Sequence, residues 1–423
     1  MLDIKFIREN KEFIDLAAKK KRLKFDVASL INADDERRNL LSSIEKTRAE
    51  QNEFSGQIAK MPQGEARSAL LSKMKSLKDG LQIEEDKLAE IMKRWRKLML
   101  EVPNIPDMSV PEGDTDAENF ELRVWGKKPV FEVEPKNHIE LMEALDMADF
   151  ERGAEVSGFR GYFLKNEGAL LVFALWNLVI DYFRGKQFSP MIVPSLVRQE
   201  TLLGTGYLPQ GEEDLYKTQD GEYLAGTAEV ASMSYFADSI LAKADLPKKV
   251  LAFSDSFRRE AGSYGKDVKG LIRVHEFYKF EQIILCEASH EQSVRHHEEL
   301  LGHAEALLQS LELPYRVVVN CTGDLGLGQV KKYDLETWVP SQKRYVETHS
   351  CSYFHDFQTR RLNIKYKDET GKTRFAHSLN NTALAVPRIL VQLIENNQQS
   401  DGSVKIPKVL IPYLGFDRIS PKR

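Results

Sequence analysis

Cysteine is scarce: 423 residues hold three, Cys286, Cys321 and Cys351, far apart in sequence. They form no CxxC pair and no disulfide framework, which argues against a disulfide-stapled secreted scaffold. No apolar run approaches the length of a membrane span. The opening stretch, MLDIKFIRENKEF, is charged from its third residue and carries no apolar signal core, so a cytoplasmic location and no membrane partner are expected. Neither glycine-rich phosphate loop, GxxxxGK(S/T) or GxGxxG, is present. Nine histidines occur, but His296, His297 and His303 show no metal-ligand spacing within EQSVRHHEELLGHAEALLQSL, and a solvated helix face is predicted there. A net charge of -4 lacks the strong positive field that indiscriminate nucleic-acid binding needs.

What remains is a balance of 42% hydrophobic and 29% charged residues, long enough for two domains. Residues 1–26 read as a short helical segment ending in the basic run Lys19-Lys20-Lys21-Arg22. Leu30, Ala33, Arg37, Leu40, Ile44, Thr47, Gln51, Phe54, Ile58 and Met61 then alternate spacings of three and four, a heptad seam. The turn signal Pro62-Gln63-Gly64 interrupts it, and a second seam runs from Leu70 through Leu81, Leu88 and Trp95 to Leu98. Two such helices joined by a tight turn predict an antiparallel hairpin about 50 Å long. By itself this is either a dimerisation coil or a projecting arm that grips a large partner. The Pro- and acid-rich stretch VPNIPDMSVPEGDTDAEN predicts a boundary. The expected domains are thus 1–103, a helical arm; 104–119, a linker; and 120–423, a second domain.

Beyond Phe120, strands and helices are mixed without strict βαβ alternation, which predicts an antiparallel α+β domain. Its centre is VLAFSDSFRREAGSYGKDVKGLIRVHEFYKFEQIIL, residues 250–285. Strand alternation puts Ser256, Arg258 and Glu260 on one face of the first run, and Arg273, Phe277 and Glu281 on one face of the second. If the runs pair as a hairpin, one surface presents guanidiniums, carboxylates and a ring. Such a surface suits a phosphorylated, aromatic-ringed ligand.

Three blocks occur in order: a long apolar helix leading to a strand with Pro194, the FRRE hairpin ending in RVHEFYKFEQ, and a terminal strand–helix with Arg388. Together they resemble the signature motifs of class II aminoacyl-tRNA synthetases. With the arm, Thr227-Ala228-Glu229, ETHSCSYFHDFQTRR and SLNNTALAVPR, the whole chain is similar to the bacterial-type seryl-tRNA synthetase family. The resemblance implies a seven-stranded, mostly antiparallel sheet flanked by helices behind an antiparallel coiled-coil arm. It implies an ATP-dependent ligase that forms seryl-adenylate and transfers serine to its tRNA. The alternative is a paralogue that binds without catalysis or charges a carrier protein.

The resemblance also implies roles. Arg258, Arg273 and Arg388 are the expected catalytic residues. Arg258, Arg259, Glu260, Val274, Phe277, Glu347, Thr348, His349, Ser350 and Arg388 are expected to bind ATP, with Phe277 and Arg388 sandwiching adenine. Glu347 and Ser350 are expected to hold Mg²⁺. Thr227, Ala228, Glu229, Glu281, Asn380 and Thr382 are expected around serine. Expected partners are the serine tRNA, gripped by the arm, the selenocysteine tRNA as a second acceptor, and a second copy in a homodimer formed through the motif around Pro194. His349, and Pro387 ahead of Arg388, depart from the commonest family wording.

Overall fold

The computed structural model describes residues 1–262, 265 and 267–421. Ser263, Tyr264 and Lys266 of the quoted hairpin motif lie outside the described residues. The chain forms two compact units. One comprises Leu2–Lys19 and Leu23–Pro103; the other comprises Met1, Lys20–Arg22 and Asn104–Arg423.

In the N-terminal part, helices α1 (Ile4–Glu9) and α2 (Lys11–Lys20) precede α3 (Val27–Lys60) and α4 (Glu65–Glu101). Asp26 starts α3 by accepting from the Ala28 N–H, satisfying an orphan donor of the first turn. Pro62, which cannot continue a helix, follows the last residues of α3. The pairs joining α3 and α4 run in opposite order along the two helices. The Arg37 guanidinium lies 4.8 Å from the Trp95 ring centre, Ser43 donates to Glu84 at 2.7 Å, and the Lys73 ammonium lies 4.7 Å from the Phe54 ring centre. The hairpin is therefore antiparallel, as the two seams predict. Arg37 and Glu84, which interrupt the apolar pattern, both make contacts across the seam.

The second unit is built on an eight-stranded sheet. In chain order its strands are β1 (Phe120–Trp125), β2 (Ser189–Ile192), β3 (Lys248–Phe257), β4 (Glu276–Cys286), β5 (Tyr315–Val319), β6 (Lys331–Val339), β7 (Arg344–His355) and β8 (His377–Val386). In space they run β1-β5-β6-β7-β8-β4-β3-β2, antiparallel except for the β2–β3 pair. This is one strand more than the seven expected, and both edge strands are short. Helices α5 (Glu167–Phe183), α6 (His290–Ser310) and α7 (Arg388–Asn396) supply much of the buried apolar surface.

The solvated face expected for the histidines of α6 is corrected. His296 and His297 are 2% and 1% exposed. Ser293, His296, His297, Leu300, Leu301, Ala304, Leu307 and Leu308 recur at helical spacing and form the buried stripe. The His297 ring stacks on Tyr333 with centres 4.6 Å apart, and its Nε2 lies 2.9 Å from the Cys351 carbonyl. These imidazoles are core residues on the side of the sheet covered by α6.

Candidate active site

The central hairpin forms, and its pairing puts the two faces together, with Phe277 opposite Ser256 and Glu281 opposite Ala252. Its strands are shorter than expected. β3 stops at Phe257 and β4 starts at Glu276. Arg258, Glu260 and Arg273 therefore sit on the connecting loop and not on a strand face. Arg258 N–H still donates to the His275 carbonyl at 3.0 Å, extending the pairing by one step. Glu260 then takes a positive φ of 55°, turning the chain, and its carboxylate pairs with Arg273 at 3.0 Å.

Besides a cavity lined by Arg258, Glu260 and Arg273, among others, two more cavities open near the hairpin. Gln282 and Asn381 donate to the Leu300 carbonyl of α6, so their neighbours Glu281, Asn380 and Thr382 face the other side of the sheet. The first cavity is lined by Arg258, Glu260, Val274, Phe277, Thr348, Thr382 and Arg388, among others. The second is lined by Tyr207, Glu229, Glu281, Asn380 and the Gly326–Gln329 loop, among others. Arg258, Lys279, Glu347 and Ser350 line both.

A β-bulge explains how Glu347 and Ser350 share a wall. In an unbroken strand, residues three apart point to opposite faces. Here Glu347 pairs with Glu336 and His349 with Leu335, leaving Thr348 as the extra residue. The bulge re-aims the strand so that both oxygen-bearing side chains meet the cavities.

The electrostatics differ across the site. Glu229 is 4% exposed and accepts from Tyr207 at 2.8 Å and Gln358 at 2.6 Å. Burial raises its pKa despite those bonds. Burial pushes Glu281 up to about 7 although the Lys279 ammonium lies 2.6 Å away. Burial also opposes ionisation of Glu347, but Arg388, Lys332, Arg258 and Lys279 outweigh it and hold its pKa below the usual value. Surrounding cations thus favour the charged form of Glu347, while burial disfavours the charged forms of Glu229 and Glu281.

Not every expected residue reaches a cavity. The Arg259 guanidinium instead donates to the Glu213 carbonyl at 3.0 Å. Ala228 is 0% exposed within an apolar cluster. His349 is turned away: its ring meets Thr348 Oγ1 at 2.9 Å and the Ala383 carbonyl at 3.2 Å, because the bulge sends it to the opposite face. Thr227 acts from behind the wall, its hydroxyl accepting from Lys279 and the Glu229 N–H, both at 3.3 Å. Thr382, expected at serine, lies in the wall that holds Phe277 and Arg388. The Phe277 ring has the Arg258 guanidinium 5.3 Å from its centre, while Arg388 donates to the Ile272 and Glu347 carbonyls at 3.0 and 2.8 Å.

Three residues were missed. Lys279 alternates with Phe277 and Glu281, so the same period-two reading would have found it. Tyr207 and Gln358 come from distant segments and carry no local signal.

Residues 216–397 match the tRNA synthetase class II core domain (G, H, P, S and T), the class that the antiparallel sheet and its arginine-lined cavity define. Residues 1–106 match the seryl-tRNA synthetase N-terminal domain. The chain is 47% identical over 418 residues to the serine–tRNA ligase of Deinococcus radiodurans, covering 98% of each. It is 43% identical to that of Finegoldia magna, covering 99% of this chain and 100% of that one. Among solved structures, the seryl-tRNA synthetase of Pyrococcus horikoshii complexed with ATP superposes with a TM-score of 0.91 at 39% identity, with 100% of both chains covered. The cytoplasmic enzyme of Naegleria fowleri in complex with AMP gives 0.86 at 31%, covering 100% of this chain and 99% of that one. The chain belongs to the seryl-tRNA synthetase family.

Proposed function

We propose that the two joined cavities hold the two halves of seryl-adenylate, ATP in the first and serine in the second. The chain is an ATP-dependent serine–tRNA ligase. A serine carboxylate oxygen attacks the α-phosphorus, the α–β anhydride breaks, and pyrophosphate leaves. A hydroxyl of the tRNA's terminal ribose then attacks the acyl carbon, and AMP departs. The observation carrying this division is that Arg258, Lys279, Glu347 and Ser350 line both cavities. The reacting carboxylate and α-phosphate belong at that junction.

Arg258 supports charge on the α-phosphate as the new bond forms. Glu260 accepts from the adenine amino group, and Arg273, paired with it, reaches phosphate. Phe277 and Arg388 flank adenine, Arg258 shifting off the ring as the base enters. Val274 and Thr348 complete that wall. Glu229 and Glu281 receive the serine ammonium and hydroxyl, with Asn380 beside them and Thr227 and Thr382 steadying the junction. A pocket that hydrogen-bonds the hydroxyl rejects alanine, because its buried polar groups would be left unpaired.

Glu347 and Ser350 fit Mg²⁺. They offer two hard oxygens on one wall, and the described residues hold no cluster of three or more His, Cys, Asp or Glu that would cage a metal. Mg²⁺ keeps several waters and takes phosphate oxygens, so few protein ligands suffice. Bound there, the ion would neutralise phosphate charge. Residues 1–103 form the arm that grips the serine tRNA, 104–119 the linker and 120–423 the catalytic domain; selenocysteine tRNA is a second acceptor. Leu170, Phe173 and Ile180 of α5, with Ile192 and Leu196 around Pro194, are exposed apolar side chains, which supports a homodimer through this motif. No helix among the described residues is long and apolar enough to cross a membrane, in keeping with the proposed cytoplasmic location.

Amino-acid-dependent ATP–pyrophosphate exchange across all twenty amino acids tests this reading. Exchange is expected with serine alone, falling roughly 100- to 1,000-fold in Arg258→Ala. Exchange with another amino acid would overturn the second cavity's assignment, and none at all would favour a non-catalytic paralogue.

A further inference from the structure

Lys21 is a lysine with almost no solvent, 3% exposed, and it belongs to the compact unit that carries the sheet. Its Nζ donates to three backbone carbonyls: Gly326 at 2.9 Å, Leu327 at 3.0 Å and Gln329 at 2.6 Å. The ammonium has three donors, and each finds a carbonyl of one loop. The remaining carbonyls of that loop are also filled. Asn104 Nδ2 donates to the Gly328 carbonyl at 3.0 Å, and the Asp107 N–H to that of Val330 at 2.9 Å.

This loop is a wall of the second cavity. Gly326, Leu327, Gly328 and Gln329 line it together with Glu229 and Glu281. Within the loop, Gln329 Oε1 accepts from the Gly326 N–H at 2.6 Å, and Gln329 Nε2 donates to Ser352 at 2.8 Å. At Gly328 an added Cβ would lie 2.5 Å from the Phe357 ring, so the loop is also pressed from behind.

We propose that Lys21 is a positioning residue for the amino-acid subsite: its ammonium gathers the Gly326, Leu327 and Gln329 carbonyls and so fixes the wall facing Glu229 and Glu281. The proposal rests on the assignment of that cavity to serine. Its chemical consequence is selective. Carbonyls already bound to an ammonium are poor acceptors for a second one, so the ammonium of serine is left to the carboxylates. Without Lys21, the Gln329 carbonyl loses its donor, while those of Gly326 and Leu327 keep only the Gln329 and Asn104 N–H groups at 3.2 and 2.9 Å, and a buried acceptor left unpaired must find another partner. The loop would then shift, or compete with Glu229 and Glu281 for the substrate ammonium. The ATP cavity shares none of these loop residues, so its affinity should not follow.

The test is ATP–pyrophosphate exchange by the full chain bearing Lys21→Met or Lys21→Arg. Lys21→Met should raise the serine KM roughly tenfold, the loss of a charged hydrogen-bond donor, with the ATP KM within about twofold of wild type. Lys21→Arg, which keeps charge and donors, should recover most of that loss. A folded Lys21→Met protein with the wild-type serine KM overturns the proposal, as does a parallel rise in both KM values. Should Lys21→Met fail to fold, Lys21→Gln, which keeps two donors, should raise the serine KM alone by roughly threefold; no rise, or an equal rise for ATP, overturns the proposal. Wild-type exchange with an amino acid other than serine would instead defeat the cavity assignment. The Lys21 contact would then still be read by hydrogen exchange at residues 326–330, which should be faster in the Met variant.

Discussion

The arm and the sheet unit solve opposite problems. α4 spans 37 residues and buries Met99 alone among them; α7 spans nine and buries a run from Ile389 to Glu395. The arm is held by its own helical hydrogen bonds and a narrow seam, and it keeps most of its charges in water, although Asp34 of α3 is buried against Arg8 and Arg37. The sheet unit is thick enough to bury Glu229, Glu281 and Lys279, and burial raises the pKa of both carboxylates. Surface for a large partner needs the first construction, and chemistry on a small substrate needs the second. The difference also shows in composition: all nine histidines lie beyond residue 103.

That contrast can be broken first by core truncation in the arm. Leu30 is 0% exposed in α3, and Leu30→Ala should destabilise the arm by roughly 2–5 kcal/mol. Helical signal followed by circular dichroism should melt earlier, while serine-dependent exchange stays near wild type. A proportional loss of exchange would show that the units do not act separately.

Acid should do the reverse. Burial lowers the pKa of His297 and of His349 to about 4, against about 6.5 in the unfolded chain. The native state resists binding these protons, so stability is full above pH 6.5 and is lost as pH falls toward 4. The cost is roughly 2–3 kcal/mol for each ring. Aromatic near-ultraviolet dichroism of the sheet unit should thus fade between pH 6.5 and 4 before arm helicity does. Loss of both signals together would contradict this.

A smaller effect sharpens the division inside the sheet unit. Glu281 has a pKa of about 7, set by burial. A cationic ammonium or a hydroxyl donor binds its ionised form, so the serine KM should fall as pH rises from 6 to 8. The change should be roughly tenfold at most, and Glu281→Gln should flatten it. Glu347 has its pKa lowered by surrounding cations, so the ATP KM should show no matching step.

The parts most open to reading from sequence were the periodic ones. Leu30, Ile44 and Ile58, and the second seam, gave both arm helices nearly to the residue, because a heptad repeat is local. Strand alternation likewise placed Phe277 and Glu281 on a shared face. It failed where the period breaks. Arg258, Glu260 and Arg273 left their strands for a loop, and the bulge at Thr348 turned His349 away while joining Glu347 to Ser350. Counting residues cannot find a bulge, whose cause lies in the partner strand. The α6 histidines were misjudged because polarity was weighed above their position on the buried stripe. Tyr207, Gln358 and Lys21 reach the second cavity and its wall from segments far apart in sequence.

The most direct measurement replaces residues 28–101 with a short Gly–Ser linker and assays the product twice. Serine-dependent ATP–pyrophosphate exchange should stay within a few-fold of wild type, because the cavity residues lie outside the deleted segment. Charging of the serine tRNA should fall by roughly 100-fold or more as the surface proposed to grip it is lost. Loss of exchange in a folded protein, or charging at the wild-type rate, would contradict the separation of chemistry from tRNA recognition.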